Sequence, residues 1–184
     1  NLNNMFANAA TFNQDISGWD VSAVTSMNGT FSWAAAFDQD ISGWNTAQVT
    51  SMSHMFAGTN AFNQPIGNWD VKNVTTLQST FANTDVFNQP LNSWNLTTKL
   101  YNVAQTFNNA KAFDQPIDTW NVSNVENMSG MFQNTPKFDM PLGGWNTGKV
   151  KDTSFMFAGT SLFNQNINDW DMTKNKTALG MFAG

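Results

Sequence analysis

The chain has no cysteine and no arginine, one histidine (His54) and one glutamate (Glu126). Each shortage closes a class of function. Without cysteine there is no disulfide framework and no thiol chemistry. With one histidine, a zinc site or a catalytic triad has almost nothing to be built from. A pair of aspartates of the glycosidase kind is the one catalytic arrangement left open. No catalytic residue is assigned, and the chain reads as a non-enzyme. Charged residues make up only 11%, all eight basic residues are lysine, and the net charge is -5. That is no footprint for nucleic acid or an anionic membrane. No apolar run reaches the ~18 residues a membrane span needs, so this segment inserts in no membrane. Polarity comes from neutral amides instead: 27 asparagines outnumber all charged side chains together.

What is present is repetition. Tryptophans stand at 19, 44, 69, 94, 120, 145 and 170, 25 residues apart except for one step of 26 between Trp94 and Trp120. Two phenylalanine columns keep the same step and the same slip. One runs through Phe6, Phe31, Phe56, Phe81, Phe107, Phe132, Phe157 and Phe182, the other from Phe12 through Phe37 to Phe163. Fixed self-similarity of this period signals stacked repeats, in which each unit covers its neighbour. Residues 1–184 form one array of about seven repeats. The sequence opens and closes inside a repeat, with no polar cap at either end, which predicts a segment of a longer protein.

The repeat unit is legible in Ile66-Gly67-Asn68-Trp69-Asp70-Val71-Lys72-Asn73-Val74. Trp69 and Val71 alternate with Asp70, the pattern of a short strand with Asp70 on the opposite face. Val74, Leu77 and Phe81 then recur at helical spacing, which predicts one or two turns of α or 3₁₀ helix. Asn63-Gln64-Pro65 and its equivalents turn the chain back. The extra residue, between Leu96 and Leu100, is expected to bulge while Trp94 and Trp120 stay in column. Thr46, Thr147 and Thr153 fall in otherwise apolar columns, and Asn175 and Ala178 replace core residues near the C-terminal end.

The line Ile-x-x-Trp-x-Val is the line of a leucine-rich repeat with tryptophan in the second slot. Its continuation through Val-x-x-Met-x-x-Met-Phe to Phe-Asn-Gln-Asp-Ile resembles the BspA-like leucine-rich-repeat surface proteins of bacteria and protists. Phe12-Asn13-Gln14-Asp15-Ile16-Ser17-Gly18-Trp19-Asp20-Val21-Ser22 is a near-consensus copy. The resemblance covers the whole chain. It implies a curved solenoid with a parallel sheet on its concave side, and an exported, surface-attached protein used in adhesion or recognition. The fold expected is therefore an α/β repeat solenoid, leucine-rich-repeat-like, with one short parallel strand and one short α/3₁₀ segment per 25-residue repeat.

Candidate binding residues follow from the columns. Asp20, Asn45, Asp70, Asn95, Asn121, Asn146 and Asp171 come one after each tryptophan and form a polar strip suited to a glycan, Ca²⁺ or a partner's backbone. The same strip also reads as a solvated amide ladder. The Gln14, Gln39, Gln64, Gln89, Gln115 and Gln165 amides are expected to pair across repeats. Asp15, Asp38 and Asp40 offer the oxygens Ca²⁺ takes, in a spacing that matches no calcium loop. No other cofactor is indicated. Trp33 and Phe155 stand where other repeats carry Asn, Gly, Ser or His, which marks them as exposed anchors or as local packing. Asn28, Asn73, Asn95, Asn121, Asn127 and Asn175 begin glycosylation triplets, which matter only in a eukaryotic secretory setting. Together these point to an extracellular or cell-surface solenoid that adheres to or recognises a protein or glycan partner. The rival is a structural rod or fibre whose repeats build length by self-association.

Overall fold

The structure, a computed structural model, describes all 184 residues. Each 25-residue repeat makes one rung, and the rungs stack in parallel. The stacking rests on the backbone. From Met27 to Ala34 the N–H groups divide between two tasks. Those of Met27, Gly29, Phe31 and Trp33 reach the carbonyls of Ser51, Ser53, Met55 and Ala57 in the next rung, at 2.6–3.0 Å. Those of Thr30, Ser32 and Ala34 turn back to Met27, Gly29 and Phe31, three residues earlier. The next rung returns bonds of its own, from Thr50 N–H to Thr25 and from Ala61 N–H to Ala35.

The turns closed on Met27 and Phe31 carry a left-handed residue at their third position, Gly29 and Trp33, and the chain supplies two such residues per rung. One column is Asn4, Gly29, His54, Ser79, Gln105, Gly130, Phe155 and Gly180. The other is Asn8, Trp33, Gly58, Asn83, Asn109, Asn134, Gly159 and Gly184. All have positive φ. Glycine and asparagine accept this conformation readily, and a bulky side chain does so only under strain.

This overturns the expected α/β leucine-rich-repeat-like unit. No residue lies in an α- or 3₁₀-helix, because two positive-φ residues four apart interrupt the segment of each rung where helix was expected. The helical spacing of Val74, Leu77 and Phe81 arises instead from successive turns. Extended pairing shrinks to one residue per rung: Ser26, Ser51, Thr76, Asn102, Asn127, Asp152 and Thr177, joined by parallel bridges. These lie seven or eight residues past the tryptophans. At the tryptophans themselves the N–H groups close local turns, as Trp69 does on Ile66 and Val74 on Val71, so no strand forms there. The alternation is nonetheless real: Trp69 and Val71 are buried and Asp70 is not.

The core is a continuous cluster running the length of the stack. Within a rung the two phenylalanines lie face to face, as Phe31 and Phe37 do at 3.9 Å between centroids. Between rungs each ring meets its own column, Phe31 to Phe56 at 5.7 Å and Phe37 to Phe62 at 6.0 Å. Each tryptophan from Trp44 onward also donates its indole N–H to a carbonyl of the rung before, Trp69 to Ile41 at 3.2 Å and Trp94 to Ile66 at 3.0 Å. Thr46 and Thr147 sit in an apolar column because each hydroxyl donates to a carbonyl of the next rung, that of Asp70 and Asp171 respectively. Thr153 is buried and accepts from the Asn175 amide. No buried side-chain polar atom lacks a partner. The extra residue is absorbed in Thr97-Thr98-Lys99, and Trp94 and Trp120 stack at 6.0 Å across it.

Candidate functional site

The strip after the tryptophans faces outward, and most of its side-chain oxygens are already engaged. Asp20 accepts the N–H of Ser22, Asn45 that of Ala47, Asp70 that of Lys72, and Asn121, Asn146 and Asp171 do the same two residues on, at 2.9–3.2 Å. Asn95 is exposed. These are local turn closures. The Ser22 hydroxyl and N–H hold the Asp20 carboxyl below its ordinary pKa, and the Thr173 N–H and hydroxyl do so for Asp171.

Asp15, Asp38 and Asp40 do not converge. Asp15 accepts Ser17 N–H, Asp40 accepts Ser42 N–H, and Asp38 accepts Asn63 N–H and the Gln64 amide. Nowhere do three or more His, Cys, Asp or Glu side chains gather as a metal would require. The glutamines do reach across: Gln39 donates to both oxygens of Asn13, and Gln89 to the Asn63 carbonyl. Each Asn or Asp before them accepts the N–H of its counterpart in the next rung, as Asn13 does from Asp38 and Asp139 from Asn164.

Of the triplet asparagines, Asn73 and Asn175 spend their amide nitrogens inward, on the Ala47 carbonyl and the Thr153 hydroxyl. Asn28 and Asn127 accept backbone N–H groups from Ser53 and Ser129. Asn95 and Asn121 are exposed.

The two unusual aromatics both occupy left-handed positions. Trp33 has φ 60° and Phe155 φ 56°. Each ring lies flat on a glycine of the next rung. A Cβ on Gly58 would come within 2.4 Å of the Trp33 ring, and one on Gly180 within 2.6 Å of the Phe155 ring. Trp33 and Phe155 are 53% and 39% exposed. They do not share a site, since they belong to different columns.

Trp33 ends a groove that runs along the stack. One wall is its own column, continued by Asn83, Asn109 and Asn134. The other is the column two residues on, Asn60, Asp85, Lys111 and Pro136. The residues between point inward, among them Thr84, Ala110 and Thr135. The groove is open to solvent and has a volume of about 560 Å³. Lys111 and Asp85 form an ion pair at 2.7 Å, so the groove carries no net charge. Its amides are largely free. Asn60 and Asn134 make no side-chain hydrogen bond within the chain, Asn83 uses only its oxygen and Asn109 only its nitrogen. Sequence reading singled out Trp33 and not the groove. The signal was present, since Asn83, Asn109 and Asn134 repeat at the period, but the outward direction of that column depends on a turn geometry that the helical reading concealed.

A second cluster also escaped. Lys149, Lys151, Lys174 and Lys176 surround a cavity of about 230 Å³ beside Glu126, which pairs with Lys151 at 2.7 Å. Half of the chain's lysines meet here. The 25-residue intervals 149–174 and 151–176 would have revealed it.

The geometry defines a class, a stacked-repeat protein whose rungs share a core and differ at outward positions, the left-handed ones among them. The family described as Mycoplasma protein of unknown function, DUF285, matches residues 1–101 and again 93–184. The chain belongs to this family, with two tandem matches of roughly four rungs each. Comparison with curated proteins and with solved structures finds no match.

Proposed function

We propose that the chain is a non-enzymatic recognition module, displayed outside the cell and used to adhere to a protein or glycan partner. The observation that carries this is Trp33. A large aromatic is held at positive φ, on a glycine, with half its surface in water, at the mouth of a groove of unspent amides. Strain of this kind persists only where the surroundings enforce it and concentrates at binding sites. Exposed aromatics are the usual anchors of recognition surfaces. The resemblance of the repeat line to BspA-like surface proteins supports the extracellular setting, and the solenoid reading of the stack comes from the same source. The rod reading draws on the uniform inter-rung ladders, which would build length equally well.

The test uses beads coated with the protein on monolayers of cultured animal cells, beside beads coated with the Trp33→Ser variant. Recognition predicts adhesion by the first and several-fold less by the second, at an unchanged melting temperature. A rod predicts no adhesion, with concentration-dependent growth in sedimentation.

A further inference from the structure

We infer that the groove beginning at Trp33 binds a straight, uncharged oligosaccharide, laid along the stack with one sugar ring on the indole. The inference rests on the recognition reading and specifies its ligand.

Four observations carry it. The first is shape. The groove follows the stack from Trp33 to the rung of Asn134, four steps of ~4.8 Å, or about 19 Å. That suits an extended chain rather than a compact small molecule, and a pyranose unit is close to one rung in length. The second is charge. The Lys111–Asp85 pair is internally neutralised, and every other polar residue named in the walls is an amide. A phosphate or sulfate would find no uncompensated cation there. The third is hydrogen-bonding capacity. An amide offers two N–H donors and a carbonyl acceptor side by side, which matches neighbouring hydroxyls on a sugar. Asn60 and Asn134 have both functions free. The fourth is the platform. An aromatic face is electron-rich and its edge positive, so it attracts the weakly polarised C–H face of a pyranose. The Trp33 ring rests on Gly58, where any Cβ would clash. It is therefore fixed before a ligand arrives, and little ordering is needed on binding.

An apolar peptide would use the indole and leave the amides unmatched. A polyanion would be drawn instead to the lysine cluster around Lys149 and Lys176, which shares no residue with the groove.

The experiment is isothermal titration of the whole chain with cellohexaose and chitohexaose, which are straight and neutral, and with maltohexaose, which curls. We expect at least one straight probe to bind with Kd below about 1 mM, to weaken when shortened to the disaccharide, and to be indifferent to salt. Trp33→Ala should weaken it at least about tenfold with an unchanged melting temperature. Trp33→Tyr, which keeps a platform, should retain most of it. Asn109→Ala and Asn134→Ala should each weaken it less. Failure of both straight probes to bind below about 1 mM, or equal binding by Trp33→Ala, overturns the inference. The bead assay separates this failure from failure of the wider reading. If adhesion depends on Trp33 but survives enzymatic removal of cell-surface glycans, the partner is a protein. Recognition then stands and the oligosaccharide falls.

Discussion

Two sets of columns run through this molecule and repeat in different senses. In the core the residue itself repeats: tryptophan, phenylalanine and phenylalanine recur in every complete rung. At the two left-handed columns only the conformation repeats. Asn, Gly, His, Ser, Gln, Trp and Phe all occupy them at positive φ. The core is selected by volume and apolarity, because each ring must fill the space between its neighbours. The left-handed columns are held by backbone bonds to the next rung, so their side chains are free to differ. Variation at these two columns is possible because the backbone, not the side chain, does the holding there.

The largest test of this contrast is Trp69→Ala. It deletes a side chain 3% exposed and its bond to Ile41. Core losses of this size cost ~3–5 kcal/mol, to be read by chemical denaturation. A cost below ~1 kcal/mol would mean that the columns do not carry the stack. Next comes Gly58→Ala, at φ 69° beneath the Trp33 ring. A left-handed alanine costs ~1–2 kcal/mol, and displacement of the ring adds to it. In a Trp33→Ala background only the backbone part should remain, so a double-mutant cycle must show coupling. Smaller still is Trp33→Asn, which installs the residue already present at Asn83, Asn109 and Asn134. The melting temperature should hold or rise slightly as strain of ~1–3 kcal/mol is relieved and ring contact is lost. A clear fall would place Trp33 with the core.

The smallest effect concerns the outward oxygens. Asn164 N–H and the Gln165 amide hold the Asp139 carboxyl below its ordinary pKa, and the Ser42 hydroxyl and N–H do so for Asp40. A carboxyl depressed in the folded state stabilises above its unfolded pKa. That contribution drains away as pH falls through the lower folded value. The melting temperature should therefore decline below about pH 4. Asp139→Asn keeps the acceptor, as Asn13, Asn63 and Asn88 do in the same column, and should flatten the decline slightly. An identical acid profile would show that protonation of Asp139 has no part in the decline.

The stacking and its core were plain in the sequence, because rings that touch across rungs must recur at the rung period. Trp69, Val71 and Asp70 took the faces their alternation implied. The backbone between them was not legible. Val74, Leu77 and Phe81 keep helical spacing in a chain of left-handed turns, since side-chain period reports which residues share a face and not how the backbone gets there. The clue lay in Gly29, Gly58, Gly130, Gly159 and Gly180, each in a column otherwise filled by Asn and assorted residues. Glycine and asparagine trading places is the mark of positive φ. Trp33 stood out by breaking a column. The groove did not, because its walls become walls only once that column points outward.

Consider again the indole bonds that lace each rung to the one before. Their acceptors are main-chain carbonyls, which every residue type possesses. Trp120 finds its carbonyl on Leu91 even though the register there is 29 residues instead of the 28 from Trp69 to Ile41. No rung therefore needs a matched side chain in its neighbour at this joint. At this joint a rung can be duplicated, dropped or exchanged without re-matching a side chain. The number of rungs, and with it the length of the groove, is therefore not fixed by the indole joints.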